Sequence, residues 1–92
     1  MQKKMGTVRG GRVGIVAPSD VYSELTKSKS GASILLSGIL AVDSLSSSEI
    51  SLRAHSGGLS VFGEELLITV FQNKTIEIKG KITEVKLKYG KL

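Results

Sequence analysis

The stretch EISLRAHSGGLSVF, residues 49–62, decides the fold class of this chain. Its first six residues alternate polar and apolar side chains, which is typical of a β-strand with one face buried. Gly57 and Gly58 then provide the positive φ angles that a tight hairpin turn favours. Alternation resumes at Leu59, so the stretch predicts two antiparallel strands joined by a turn.

Short alternating segments continue on both sides of this hairpin. The segment Ile34–Asp43 is apolar on both faces and predicts one central, buried strand. Thr75–Lys79 alternates again, and the following residues fall out of phase, which predicts a bulge or tight turn near Gly80–Glu84. About six strand-like segments at spacings of roughly 8–12 residues predict a small all-β fold, either an antiparallel meander, a sandwich or a barrel.

The alternation also predicts which residues form the core and which glycines shape the turns. Within Glu65–Phe71, Leu66, Ile68 and Val70 fall on one face, and Leu67 and Phe71 on the other. The predicted core residues are Ile50, Leu52, Leu59, Leu66 and Ile82. The predicted structural glycines, which tolerate positive φ without strain, are Gly57, Gly58, Gly63 and Gly80.

The first third of the chain has a different character. Residues 1–12 are rich in Gly, Lys and Arg and predict a flexible basic arm. A short helix is predicted over Asp20–Thr26, because Ser or Asp after proline can cap a helix N-terminus. Lys27–Gly31 reads as a linker. The chain is therefore divided into a basic arm with one short helix, 1–32, and a β-domain, 33–92.

Composition excludes several classes of protein. The chain contains no cysteine, which excludes disulfides and zinc–thiolate sites. No apolar run approaches the ~20 residues of a transmembrane helix, and no signal peptide follows the first lysines. His55 is the only histidine and lies in a predicted turn, while Glu49, Glu64 and Glu65 lie near strand starts, where carboxylates commonly face water. We therefore expect no catalytic constellation, no metal site and no cofactor.

The net charge of +5 is placed unevenly, in a basic–acidic–basic order along the chain. Such blocks permit head-to-tail association of copies as readily as binding to an anionic surface. The candidate contacts to an anionic partner are Lys3, Lys4, Arg9 and Arg12. A small basic β-barrel that binds nucleic acid is the alternative, although only four aromatic residues are available for base stacking.

Residues 34–89 resemble the YabP/YqfC family of sporulation proteins. The resemblance rests on the strand Glu49-Ile50-x-Leu52, a glycine turn at Gly57, a strand that ends at Gly63, and a closing segment around Gly80-x-Ile82. It implies a small non-enzymatic structural protein of endospore-forming bacteria. Such a protein would act in the mother-cell cytoplasm during assembly of the spore envelope and coat, with the forespore surface as its candidate location. Its expected partner is a second copy or another sporulation protein.

Overall fold

Seven β-strands form one sheet in the computed structural model, which describes residues 13–92. The strands are β1 (Gly14–Ile15), β2 (Tyr22–Ser28), β3 (Gly31–Ser37), β4 (Ile39–Leu45), β5 (Glu49–Ala54), β6 (Gly57–Gln72) and β7 (Thr75–Gly90). The order along the sheet is β2-β3-β7-β6-β5-β4, and neighbours in this path are antiparallel. Strand β1 runs parallel to β7. The predicted all-β class is confirmed, and the sheet is not closed into a barrel.

A long hairpin of β6 and β7 organises the sheet. Each strand has 16 residues and joins two segments that the sequence predicted as separate strands. Its turn residues Asn73 and Lys74 have φ angles of 53° and 62°, as a type I′ turn requires. Strands β2 and β3 lie beside the turn end of the hairpin, and β5 lies beside its open end and carries β4 on its far side. The hairpin therefore belongs to both groups of strands.

β-bulges interrupt the middle of this hairpin, as predicted near Gly80–Glu84. The register shifts between Phe62 and Gly63 and again between Glu64 and Leu67. Gly80 lies opposite the second shift with a φ of 145°, and a Cβ atom there would approach the carbonyl oxygen of a residue in the bulge to 2.7 Å. Glycine at this position is therefore required both by backbone conformation and by space.

The other predicted turn glycines have a different role. Gly57, Gly58 and Gly63 all lie within β6, and none of them has a positive φ, so that part of the prediction is wrong. The turn before β6 is formed by the two residues that precede Gly57. A Cβ atom on Gly57 or Gly63 would collide with a carbonyl oxygen of β7, and one on Gly58 would collide with the ring of Tyr89. Close approach of two backbones selects glycine at Gly57 and Gly63, and the ring of Tyr89 fills the space beside Gly58.

One apolar cluster forms the core and includes every predicted core residue. The predicted residues Ile50, Leu52, Leu59, Leu66 and Ile82 are all buried. The remaining buried members of the cluster are Ile34, Leu36, Ile39, Val61, Ile76, Ile78 and Val85. They come from β3, β4, β5, β6 and β7, so the core depends on contacts between strands that are distant in sequence.

The predicted helix over Asp20–Thr26 is wrong, because residues 22–28 form strand β2. Strand β2 pairs with β3 along seven residues, and a helix of two turns has too few internal hydrogen bonds to compete with that pairing. The predicted linker Lys27–Gly31 is the end of β2 and the tight turn of this hairpin. Cross-strand pairing, which depends on β3, therefore overrides the local helix signal.

Candidate docking surface

Two strand edges of the sheet lie alongside each other without pairing. The predicted single strand Ile34–Asp43 is in fact two strands, because Gly38 turns the chain with a φ of 95°. At this corner the N–H groups of Gly38 and Ile39 both donate to the carbonyl oxygen of Lys74 at 2.9 Å. The start of β4 is thereby fixed to the turn between β6 and β7.

A second backbone contact fixes the other end of the same two edges. The N–H of Leu66 donates to the carbonyl oxygen of Ser47, just beyond β4, at 2.9 Å. Between these two points, β4 is paired only with β5, and residues 67–72 of β6 are paired only with β7, within the part of the chain that the structure describes. We call β4 together with residues 67–72 the open flank.

A bulge sets the direction of the side chains on the β6 side of the open flank. The register passes from Ile68 opposite Ile78 to Val70 opposite Glu77, so Thr69 is the extra residue. Thr69 donates its hydroxyl to the Glu77 carboxylate at 2.7 Å. Phe71 consequently lies opposite a core residue of β7, on the other face from Leu67, and the prediction that these two share a face is wrong.

The open flank exposes a large apolar surface. Five side chains on its two strands are exposed, namely Leu40 (46%), Leu45 (61%), Leu67 (61%), Val70 (40%) and Phe71 (44%). Together they leave on the order of 500 Å² of apolar surface in water, divided between the two faces of the sheet. Between the two backbone contacts, the N–H and C=O groups on this side of residues 67–72 have no strand partner among residues 13–92.

On the β6 side of the open flank, charge is confined to the two ends. Glu64 and Glu65 precede its β6 segment, Lys74 follows it, and residues 66–73 carry no charge. On β4, the carboxylate of Asp43 accepts a hydrogen bond from Arg53 at 2.6 Å, which also raises the pKa of Arg53. The β6 side of the open flank therefore has an acidic end, an apolar middle and a basic end, whereas the β4 side carries the Asp43–Arg53 ion pair.

The other exposed strand edge is chemically different. Strand β2 pairs only with β3 within residues 13–92, and its exposed side chains include Glu24 and Lys27. Charged side chains on an edge strand discourage pairing with another molecule. Residues 67–72 of the open flank carry no charge and have no such protection, which makes this edge the candidate docking surface.

The charged residues predicted to contact an anionic partner are not brought together by the sheet. Lys3, Lys4, Arg9 and Arg12 all lie outside the described residues. Residues 13–92 contain nine basic and eight acidic residues, a net charge of +1, so most of the positive excess belongs to residues 1–12. Along the hairpin, Lys81 lies opposite Glu64, and cross-strand pairs of this kind interleave the two signs.

The face of the sheet outside the core carries a small polar cluster that the sequence did not indicate. Ser51 and Ser60 are buried and lie 3.2 Å apart between their hydroxyl oxygens, and Lys88 donates to Ser51 at 3.3 Å. A hollow of about 210 Å³ lies beside them, lined in part by Glu49 and Lys86. The serines therefore have partners among themselves and the neighbouring lysine, and they serve as polar packing.

The histidine and the glutamates that the sequence analysis weighed as possible catalytic groups lie at different places in the fold. His55 is exposed in the turn before β6, and Glu64 and Glu65 are exposed at the central bulge. No group of three or more His, Cys, Asp or Glu side chains that could hold a metal ion occurs among residues 13–92. Over the same residues, no helix is long and apolar enough to cross a membrane.

These features define a class of small antiparallel β-sheet proteins with an exposed apolar edge. Comparison with known families is more specific, since the family model for YabP matches residues 29–91. The chain belongs to the YabP family, as the sequence resemblance implied, and is thereby a sporulation-related protein. No curated protein matches the chain.

The sequence did not indicate the open flank as a site. Leu40, Leu45 and Val70 were expected to belong to ordinary strands, and their exposure follows from bulges and from the turn at Gly38. One local signal was available, namely the uncharged run LLITVF at residues 66–71 between two glutamates and a lysine. Such a run has the composition of segments that pair with other chains when they are exposed.

Proposed function

We propose that this protein is a non-enzymatic assembly component of the endospore envelope or coat, and that it acts through docking of its sheet onto another protein molecule. Its place of action in this proposal is the mother cell, next to the surface of the forming spore. Membership of the YabP family supports the link to sporulation. The open flank supports the mode of action.

The observation that carries the proposal is the apolar, uncharged edge of β6 in a small protein. Residues Leu67–Gln72 combine exposed apolar side chains with a backbone edge that is unpaired within residues 13–92. Exposed edges recognise other chains through main-chain hydrogen bonds, and adjacent apolar side chains add affinity. A small domain that keeps about 500 Å² of apolar surface exposed gains stability when a partner covers it.

The proposal is tested in a spore-forming bacterium that carries this gene. A deletion strain should begin sporulation normally and yield spores with defective envelope or coat, seen by electron microscopy and by reduced survival of heat and lysozyme. A fluorescent fusion should collect at the forespore surface on the mother-cell side. Normal, fully resistant spores from the deletion strain, or a fusion that stays uniformly distributed, would contradict the proposal.

A further inference from the structure

We propose that the end of the sheet at which β2 turns into β3 binds a membrane surface of anionic lipid. Four lysines surround this end, and we call them the basic tip: Lys27, Lys29, Lys79 and Lys81. The basic tip adds a second contact surface to the proposed function and does not depend on it. Its partner is recognised by phosphate charge, whereas residues 67–72 of the open flank carry no charge.

Strand pairing brings the basic tip together from two distant segments of the chain. Lys27 lies opposite Ala32, and Ala32 lies opposite Gly80, the residue between the two lysines of β7. Lys29 is in the tight turn that follows β2. Because neighbouring strands are about 5 Å apart, the four Cα atoms lie within roughly 15 Å of one another. The lysines therefore act on a partner as one group.

Two hollows at the basic tip offer groups that bind phosphate oxygens. Lys79 and the hydroxyl-bearing residues Thr26 and Ser30 line the first, which has a volume of about 300 Å³. Lys27 and Lys81 line the second, which has a volume of about 250 Å³. Ammonium and hydroxyl groups both donate hydrogen bonds, and those from an ammonium group to phosphate are strengthened by charge.

The charges of the basic tip are available to a partner. Among residues 13–92, the one ion pair is that of Arg53 with Asp43, so no lysine of the basic tip is neutralised by direct contact. Lys81 has Glu64 as its cross-strand neighbour, with Glu65 next in the chain. The other three lysines therefore contribute most of the attraction.

The remaining carboxylates of the neighbouring strands lie farther from the turn between β2 and β3. Glu24 of β2 and Glu77 of β7 lie opposite Leu35 from its two sides. The Glu77 carboxylate also accepts a hydrogen bond from Thr69. The end of the sheet consequently presents lysines, and the carboxylates lie behind them along the strands.

The predicted basic arm joins the sheet beside the basic tip. Val13, the first residue that the structure describes, lines the same hollow as Lys27 and Lys81. Residues 1–12, which precede it directly in the sequence, contain four more basic residues. Clusters of about four to eight Lys and Arg residues are typical of protein surfaces that bind acidic lipids.

The residues around the basic tip favour a lipid surface over nucleic acid. Proteins that bind single strands stack the bases on aromatic side chains, and neither hollow is lined by an aromatic residue. The lysines surround one end of the sheet and do not form a track along it. A flat layer of lipid headgroups fits such an end, because all four lysines can approach the layer together.

Vesicle binding by the 92-residue chain tests the basic tip. Flotation at about 0.1 M salt measures partition onto phosphatidylcholine vesicles with and without phosphatidylglycerol. The chain should bind the vesicles that contain phosphatidylglycerol and leave the neutral ones unbound. One lysine near an anionic surface contributes roughly fivefold to partition, so replacing all four by glutamine should lower the partition coefficient at least about twentyfold. Absence of binding to the anionic vesicles overturns the proposal.

The chain offers a control with the same change of charge. The other lysines of residues 13–92 lie outside the basic tip, and they are also four: Lys74, Lys86, Lys88 and Lys91. Their replacement by glutamine should lower the partition coefficient less than about fivefold, because only the field at long range is reduced. Equal losses in the two variants would show that net charge alone drives binding, and would overturn the assignment to the basic tip.

A milder pair of variants keeps the test decisive if four substitutions impair folding. Lys29→Gln with Lys79→Gln should lower partition at least about tenfold, and Lys86→Gln with Lys91→Gln less than about threefold. All four positions are exposed, and circular dichroism establishes that both variants keep the strand content of the parent chain. Equal effects of these two variants overturn the assignment as well.

Nucleic acid is distinguished from lipid by competition. A duplex oligonucleotide at the same phosphate concentration as the vesicles should leave the chain on the lipid. An oligonucleotide that removes the chain from the vesicles overturns the choice of partner. The spore phenotype of the deletion strain is a separate measurement, so failure of vesicle binding leaves the proposed function standing, and normal spores would leave the basic tip standing.

Discussion

Gly80→Ala should strongly destabilise the fold, because the central bulge of the long hairpin leaves no room for a side chain. Gly80 has a φ of 145°, which side-chain-bearing residues rarely adopt. A Cβ atom there would lie 2.7 Å from the carbonyl oxygen of Glu65 and 3.0 Å from that of Glu64. Both neighbours are backbone atoms in the bulge, so the added methyl group cannot be accommodated by rotation of a side chain.

The size of the effect follows from two contributions. Holding a non-glycine residue in a sparsely populated φ region costs on the order of 1–3 kcal/mol. Displacement of the packed bulge adds roughly 1–3 kcal/mol, as in other overpacked sites. A total of about 3 kcal/mol would remove a large part of the ~5–15 kcal/mol that stabilises a typical domain. For a chain of this length it should lower Tm by roughly 10–25 °C.

Thermal unfolding followed by circular dichroism measures this shift, and Gly14→Ala provides a matched control. A Cβ atom on Gly14 would meet nothing within 4 Å, and its φ lies outside the glycine-favouring region. That substitution should change stability by less than about 1 kcal/mol, in the stabilising direction. A Gly80→Ala variant that unfolds within a few degrees of the control would refute the reasoning, because it would show that the bulge adapts to a side chain.

Three further predictions follow from burial, hydrogen bonding and charge. Leu52→Ala should cost about 2–5 kcal/mol in urea unfolding, whereas Leu92→Ala, at a position 73% exposed, should cost less than about 0.5 kcal/mol; similar values would contradict the assigned core. The hydrogen bond that Ser56 donates to Asp20 lowers the pKa of Asp20 below its ordinary value of 3.8, so Ser56→Ala should raise that pKa in an NMR titration. Because the folded-state pKa of Asp20 is lowered, this contact stabilises the fold above pH 3.8, and the benefit is lost as the pH falls through the lowered pKa. An Asp20 titration that is the same in Ser56→Ala and in the parent chain would mean that the bond is not formed in solution. Any binding of DNA should be lost on removal of residues 1–12, which contain four basic residues. If these four residues contact phosphates, the affinity should also fall roughly 100-fold between 50 and 200 mM salt. Binding that survives either change would place the contact on the sheet.

The strand content of this protein could be predicted because alternation is a local property of the chain. Leu52 and Leu59 belong to segments whose period of two places one face inward in any antiparallel sheet, and both are buried as expected. The irregularity at Gly80 was also visible in the sequence, because the apolar phase changes there. Residues 22–28 were missed, since their short helical spacing is a weak signal and the pairing that makes them a strand is with β3.

The sequence by itself determined the all-β class, the core residues of the central strands and the family to which the chain belongs. Only the tertiary structure decided that β6 and β7 are continuous, that Gly38 separates β3 from β4, and that two unpaired edges meet in the open flank. The physical reason is the separation along the chain between the residues that interact. Alternation acts between neighbours in the sequence, whereas the exposure of Phe71 depends on a bulge opposite Glu77 and on a turn at Gly38, more than thirty residues away.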